Sequence, residues 1–582
     1  MARPPDADRR RLLRGMALGA TALGLRPLWA LASPGQPTVL AGNAFDLRLG
    51  RTPVNITGKT VSAFAVNDLL PGPILRWREG DTVRIRVRNT LAETSSIHWH
   101  GLLLPANMDG VPGMSFDGIP PGGDYLYQFK VRQSGTYWYH SHSSLQEQAG
   151  LLGPIIIDPL GPDPLACARD YVVLLSDWTD LDPMHLFARM KKRSDYDNLY
   201  KRTALDFLRD ARKDGLDATL ADRKAWGAMR MSPTDLADVN GHTYTYLANG
   251  HTAAQNWTAL FTPGERVRLR FINGAAMTFF DVRIPGLTLT VMAADGQPIQ
   301  PVDIDEFRIA PAETFDVIVQ PQDDAAYTVF AQAMDRSGYT RITLAPRPGM
   351  AAAVPVPDKR PLLTMDDMGH GGHAGHGKPA ATEMACGAAM GMPGMAMAGM
   401  DHGTHGGAMQ NHPASETGNP DVDMQTMMPV PRLDDPGIGL RDNGRRVLRY
   451  ADLHSLQPPA DDREPSRTIE LHLTGNMERF TWGFDGIRFA DAAPIRLRYG
   501  ERVRITLVND TMMEHPIHLH GMWSDLEDEH GQFLVRKHTV SVPPGTKRSV
   551  RVTADALGRW AFHCHMLLHM ESGMMREVRV EE

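Results

Sequence analysis

Short runs in which apolar and charged residues alternate recur along most of this chain. In Thr82-Val83-Arg84-Ile85-Arg86-Val87 every second residue is apolar, a period of two that sends those side chains to one face of a strand. The run follows Gly80-Asp81 and leads to Asn89, nine residues after the glycine. The same signature returns twice. Gly264-Glu265-Arg266-Val267-Arg268-Leu269 leads to Asn273, and Gly500-Glu501-Arg502-Val503-Arg504-Ile505 leads to Asn509, at the same offset. Three copies of one strand signature predict three homologous domains. The many short strand-like runs between Gly and Pro turns predict an all-β chain of antiparallel sandwiches.

Two stretches break the pattern. From about Asp182 to Trp226 the chain is rich in Lys, Arg, Asp and Leu and has few β-branched residues, which predicts one or more helices inserted early in the second domain. Such an insertion is either a packed surface excursion or a docking element. From Met365 to Met428 the chain holds Met, His, Gly and Ala in runs such as Met390-Gly391-Met392-Pro393-Gly394-Met395. It lacks apolar periodicity and is expected to be disordered when empty. The organisation expected is a leader at 1–32, a first domain at 37–160, a second at 161–350, a Met/His-rich linker at 351–430 and a third domain at 431–582.

Composition adds little to this picture. An apolar content of 42% over 582 residues supports several packed cores, and a net charge of −7 argues for neither nucleic acid nor an acidic substrate. Three cysteines, Cys167, Cys386 and Cys564, cannot make a disulfide framework; a Cys167–Cys386 bridge and two separate thiols both remain open. The N-terminus changes more. Arg9-Arg10-Arg11-Leu12-Leu13 precedes a short apolar run from Met16 to Leu25 and the small residues of Ala30-Leu31-Ala32. The run is too short to span a bilayer, and the paired arginines look like a twin-arginine export signal. The mature chain is expected outside the cytoplasm, in the periplasm, without a membrane span.

The candidate chemistry lies in four His-x-His pairs. His98-Trp99-His100 and His140-Ser141-His142 stand near the start; His518-Leu519-His520 and His563-Cys564-His565 stand near the end. His98 and His518 each lie nine residues beyond the signature asparagine, and Gly135 and Gly558 each precede the second pair by five. The middle copy has Val282 and Ile284 at the matching places. Eight imidazoles at matched positions imply a metal cluster shared by the outer domains, and imidazole suits copper, zinc, iron or nickel. Cys564, where the first copy has Ser141, breaks the symmetry. With His515, His569 and Met574 it offers a thiolate, two imidazoles and a thioether, the donor set of a blue-copper electron-transfer site. Zinc does not suit this set, since methionine is a poor zinc ligand. Cys564 is covalently flanked by two cluster histidines, so electrons collected there have a bonded route to the cluster. Four coppers match the four electrons that reduce dioxygen to water.

These motifs, His98-Trp99-His100-Gly101, His140-Ser141-His142, His515 through Gly521 and His563 through Met574, resemble the four copper signatures of the multicopper oxidases. Leu104 through Gly113, Leu174 through Trp178 and the Met/His-rich insert extend the resemblance to the periplasmic copper-resistance protein A type. It implies three cupredoxin-like Greek-key sandwiches with the cluster between the first and the last. It also implies a division of four coppers: type 1 on His515, Cys564, His569 and Met574; type 2 on His98 and His518; the type 3 pair on His100, His140, His142, His520, His563 and His565. Asp109 matches an acid that relatives place beside the cluster, which implies proton relay or orientation of bound solvent; a turn aspartate in Met108-Asp109-Gly110 is the other reading. Glu571 is a candidate for a second proton route, although Met570 takes the place directly after His569 where an acid can occur.

Thioethers select Cu(I). Residues 365–428 hold twelve methionines and six histidines, and Met512 and Met513 stand just before His515. Met513 matches a cuprous-ion ligand of related oxidases, with loop packing as its other reading. The leading expectation is a monomeric periplasmic oxidase of Cu(I), using dioxygen and serving copper tolerance, with periplasmic copper-handling proteins as partners. A laccase-like oxidase of phenols and a copper-sequestering protein are the alternatives.

Overall fold

A computed structural model describes residues 37–369 and 409–582. The expected leader and Cys386 lie outside the described residues. The strands form six sheets, two in each of three successive portions of the chain. In the first portion a four-stranded sheet runs Thr60–Val66, Ala44–Asn55, Thr82–Asn89, Asp124–Lys130. Its companion runs Val39–Ala41, Ile74–Arg78, Leu152–Asp158, Gly135–His140, His98–His100. The middle portion has a seven-stranded and a five-stranded sheet. The last has a six-stranded sheet and a five-stranded one in the order Ile495–Arg498, Met575–Glu581, Gly558–Cys564, His515–Leu519, Thr539–Val542.

The sheets are mixed rather than purely antiparallel. Each signature strand lies parallel to an earlier one: Thr82–Asn89 to Ala44–Asn55, Val267–Asn273 to Arg169–Trp178, and Arg502–Asn509 to Arg467–Asn476. In the first portion the chain crosses to the companion sheet between those strands, at Ile74–Arg78, and so returns in the same direction. The period of two reads the faces correctly. Along Thr82–Asn89 every second residue, from Val83 to Asn89, is buried.

The repeated asparagine has one job in all three places. Asn89, Asn273 and Asn509 are fully buried. Each side-chain oxygen accepts the backbone N–H two residues on, at Leu91, Ala275 and Thr511. Each amide donates to two carbonyls: Glu93 and Ile119, Thr278 and Ile309, Met513 and Val542. An Asx turn is thereby locked at the end of the signature strand. It fixes how the following loop enters the strand that bears, in the outer domains, the histidine pair.

The glycines before the second pairs serve domain contact. Gly135 has φ of 129° and Gly558 has φ of 131°. A Cβ at Gly135 would stand 2.2 Å from the Gly296 carbonyl oxygen of the middle domain, and one at Gly558 would stand 2.4 Å from Ala106 Cβ of the first. Both the backbone angle and the close approach exclude a side chain.

Three helices, Pro183–Lys192, Ala204–Asp214 and Leu216–Ala228, interrupt the strands. Asp182 caps the first by accepting from Met184 N and His185 N, with Pro183 at the start of the helix. Leu186 and Met190 bury one face of it, and Lys191 Nζ donates to the Phe480 carbonyl at 2.6 Å. The helix is thus pinned to the third domain, which matters for the loop that follows. The expectation of disorder from 365 to 428 is too broad at its edges. Met368 and Met424 are buried, and Thr426 N donates to Asp510 Oδ1 at 2.7 Å. Residues 409–428 find their order in contacts with the third domain, which the local pattern cannot reveal. Among the described residues no helix is long and apolar enough to cross a membrane.

Candidate metal centres

The two outer five-stranded sheets bring the histidine pairs together in the same register. His98 lies opposite His140, and His518 lies opposite His563. The matched sequence offsets are therefore matched strand pairings. All eight imidazoles converge, and His98 stacks on His520 with ring centroids 3.9 Å apart while His100 stacks on His518 at 3.8 Å.

Five of the eight imidazoles are held by their Nδ1–H. His98 donates to the Asp109 carbonyl at 2.8 Å, His518 to the His538 carbonyl at 2.6 Å and His563 to the Cys564 carbonyl at 3.0 Å. His520 donates to Asp109 Oδ2 at 2.8 Å, and His140 to Glu147 Oε2 at 2.7 Å. Acceptors at Nδ1 set the tautomer and leave the Nε2 lone pair facing inward, the pattern of metal-ligating histidine. His100 is reversed. Its Nε2 faces His538 Nδ1 and Thr539 Oγ1, each at 3.2 Å, so its free nitrogen is Nδ1.

The inward nitrogens fall into sets. His100, His140 and His565 form one and His142, His520 and His563 another, with His142 Nε2 and His520 Nε2 at 3.4 and 3.0 Å from His563 Nε2. His98 and His518 also group with His100, and among the described residues their buried Nε2 atoms find no hydrogen-bond partner. Burial and the neighbouring imidazoles hold His100, His142, His518, His520 and His565 well below the usual imidazole range, and burial pushes His563 down to about 3. Neutral imidazoles with orphaned, buried lone pairs are costly unless a cation satisfies them. The donor set fits copper ions.

The second centre lies one residue away along the chain. Cys564 Sγ is 3.5 Å from His515 Nδ1 and 3.8 Å from His569 Nδ1, and those two nitrogens are 3.2 Å apart. The Met574 carbonyl accepts from Cys564 N at 3.1 Å, and Met574 N donates to the His569 carbonyl at 3.0 Å, so its backbone is tied to both of these residues. His515 Nε2 meets Thr511 Oγ1 at 2.7 Å, and His569 Nε2–H donates to Asp238 Oδ2 at 2.7 Å. Trp482 stacks on His569 at 4.0 Å. Burial pushes the Cys564 thiol well up, so a thiolate here needs a cation beside it. A buried thiol and two buried imidazoles already brought together fit copper as well.

Several residues in these centres escaped the sequence reading. Asp238 arrives from the loop after the three helices, and nothing in its local sequence marks it. Glu147, five residues after His142, offered a weak signal as an acid that turns out buried. His538 stands between the strands Phe533–Lys537 and Thr539–Val542, and Lys537 is fully buried between Asp295 and Glu313 at 3.0 and 3.1 Å. Asp109 is a turn residue that is also buried and bonded to two imidazoles, those of His98 and His520. Glu571 is exposed and lines an open cavity with His142, Lys191, Met114 and Met570. Among the described residues it makes no hydrogen bond to a cluster imidazole. Met512 and Met513 are buried and line an apolar cavity together with Met334, Leu236, Asp367 and Asp435.

Profiles of the multicopper oxidase family match residues 48–161, 169–354 and 462–582. The chain is 61% identical to a copper resistance protein A homolog of Pseudomonas syringae pv. tomato over the full length of both chains. It is 60% identical to copper resistance protein A of Escherichia coli, with 99% of each chain covered. Multicopper oxidase MmcO of Mycobacterium tuberculosis is 27% identical over 90% of this chain and 84% of its own. Among solved structures, Fet3p, a multicopper oxidase that functions in iron import, superposes with a TM-score of 0.64 at 19% identity, covering 93% of this chain and 91% of its own. The laccase of Botrytis aclada superposes with a TM-score of 0.60 at 20% identity, covering 95% and 89%. These two share the fold.

Proposed function

This chain belongs to the multicopper oxidase family, and on that footing we propose that it oxidises Cu(I) to Cu(II) in the periplasm, with dioxygen as acceptor, as a copper-tolerance enzyme. The carrying observation is the adjacency of two donor sets: His515, Cys564 and His569 on one side of the Cys564 backbone, and His563 and His565 of the eight-imidazole cluster on the other. Copper held by these sets would supply one-electron transfer at the first and four-electron reduction of dioxygen at the second, O2 + 4 H+ + 4 e− giving 2 H2O.

The residues divide the work. His515, Cys564, His569 and Met574 are assigned to the type 1 ion. His98 and His518 are assigned to type 2, and His100, His140, His142, His520, His563 and His565 to the type 3 pair. The grouping of inward nitrogens into two threes and a remaining pair supports this division. Cys564 passes electrons along its own backbone to His563 and His565. Asp109 and Glu147 are buried carboxylates bonded to cluster imidazoles, suited to hold protons at Asp109 Oδ1 and Glu147 Oε1, which have no other hydrogen-bond partner among the described residues. Glu571, on the cavity wall shared with His142, is assigned to proton entry from solvent.

Electron donation is assigned to the face of Met512 and Met513. Their thioethers and that of Met334, with Asp367 and Asp435 nearby, suit a soft monovalent cation better than a phenol. The names of the 60% identical relatives agree with copper tolerance, and a twin-arginine leader at 1–32 would deliver a folded monomer to the periplasm. The test is oxygen uptake by the copper-loaded protein with Cu(I) as the sole electron donor, beside Cys564→Ser. Rapid uptake absent from the variant is expected. Uptake equal in both would refute the reading and leave phenolic donors or copper sequestration.

A further inference from the structure

Outside both copper centres, four buried side chains converge where residues 409–428 pack on the third domain. His412 and Glu416 come from that segment, Glu416 closing the turn Ala414–Glu416. His472 lies within the strand Arg467–Asn476, and Asp510 follows the signature Asn509. His472 Nδ1 is 2.6 Å from Asp510 Oδ2 and 3.7 Å from Glu416 Oε1. His412 Nδ1 is 3.2 Å from both Glu416 Oε2 and Asp510 Oδ2. One donor atom from each residue lies within 4.8 Å of all the others. The side chains of Glu416 and Asp510 are 0% exposed, that of His472 1% and that of His412 10%.

The outward contacts are those of a built site. His412 Nε2 reaches the Thr426 carbonyl at 3.2 Å, and His472 Nε2 reaches Glu470 Oε1 at 3.3 Å. Both acceptors call for an N–H at Nε2, so a neutral ring turns its Nδ1 lone pair inward. Gln425 Nε2 holds Glu416 Oε2 at 2.9 Å, and Thr426 N holds Asp510 Oδ1 at 2.7 Å. Glu416 Oε1 is buried, points at His472 and, among the described residues, has no hydrogen-bond partner. Two lone pairs and two carboxylates thus face one point from two parts of the chain.

We propose that His412, Glu416, His472 and Asp510 form a fifth metal site, separate from the copper centres, that takes a divalent first-row transition ion such as Zn2+ or Cu2+. Two imidazole nitrogens and two carboxylate oxygens are borderline and hard donors, and none of the four is the sulfur that Cu(I) prefers. Calcium takes six to eight oxygens and does not fit. Four protein ligands that leave no open position describe a structural site rather than a catalytic one. Its effect is to clamp residues 409–428 to the strand end from which Thr511 reaches His515. This inference goes beyond the oxidase reading and does not depend on it.

The test uses the full-length copper-loaded protein. Anomalous diffraction at the zinc and copper edges, from crystals equilibrated with Zn2+, should place an ion roughly 2.0–2.2 Å from all four donors. Zinc titration by calorimetry should show a tight equivalent that is weakened at least about 10-fold in Glu416→Gln and His412→Ala. The blue absorption of the variants checks that the third domain is folded. Absence of density between the four side chains, or zinc titrations of folded variants that match the parent, would overturn the proposal. Those outcomes describe a salt-bridged quartet with charged imidazoles instead.

Discussion

Asp238 offers the sharpest test of how the proposed type 1 centre is built. Its Oδ2 accepts from His569 Nε2–H at 2.7 Å, its side chain is fully buried, and it comes from a loop of the middle domain. With an imidazole ring and one metal–nitrogen bond interposed, the carboxylate stands about 7 Å from a bound ion. At an effective dielectric of about 20, one charge at that distance is worth about 2 kcal/mol. Asp238→Asn keeps an oxygen that can accept the same bond but removes the charge. The oxidised ion carries one more positive charge than the reduced ion, so it loses more, and the reduction potential should rise by roughly 100 mV. Asp238→Ala goes further, leaving a buried N–H unpaired at a cost of about 1–3 kcal/mol. Copper affinity should fall about 10- to 100-fold. Potentiometric titration of the blue absorption measures the first, and competition with a copper chelator the second. An Asn variant with the parent potential and an Ala variant with the parent affinity would refute the argument that Asp238 acts on the ion through His569.

Three further outcomes follow from the geometry. Gly110→Ala would put a Cβ 1.8 Å from the Ile97 carbonyl oxygen at φ of 81°, so the Asp109 carbonyl that holds His98 must move; thermal unfolding should drop and copper per chain should fall. Lys537→Met would leave Asp295 and Glu313 buried without their cation, at about 3–5 kcal/mol in denaturant unfolding. The copper-free protein should lose stability in acid. His100, His142, His518, His520, His563 and His565 titrate lower folded than unfolded, His563 at about 3, so below about pH 6.5 the unfolded chain binds protons there that the folded one does not. Each such group removes about 1.4 kcal/mol per pH unit until its folded value is reached. In protein stripped of every metal ion, His472, held down by burial but pushed up to about 9 by Asp510 and Glu416, runs the other way: its contribution is complete below about pH 6.5 and is lost as pH rises through about 9. Chemical unfolding of metal-free protein from pH 4 to about 10, compared with the copper-loaded form, checks the balance.

The relation between pattern and structure differs from feature to feature. The period-two runs found the signature strands and their buried faces because alternation is a local consequence of the pleat. The nine-residue offset between asparagine and histidine carried over into structure because one side chain, three hydrogen bonds deep, fixes the turn between them. Strand direction was not legible. Whether a signature strand runs parallel to its neighbour depends on where the chain crosses between sheets, and alternation is the same either way.

The candidate donors were legible in the sequence: the His-x-His pairs and Cys564 are spaced by strand geometry, and the structure brings them together through the pairing of His98 with His140 and of His518 with His563. The residues that tune them were decided by tertiary structure. Asp238 reaches His569 across 331 positions of the chain, and His538 lies beside His100 across 438. The fate of residues 409–428 belongs to the same class. A Met- and His-rich stretch has no pattern that would fold it alone, yet Thr426, His412 and Glu416 meet Asn509, Asp510 and His472 on the finished surface of the third domain. Local periodicity reports which face of an element is buried. Which charged group from a distant loop is buried against it depends on domain packing, and only the folded chain supplies that.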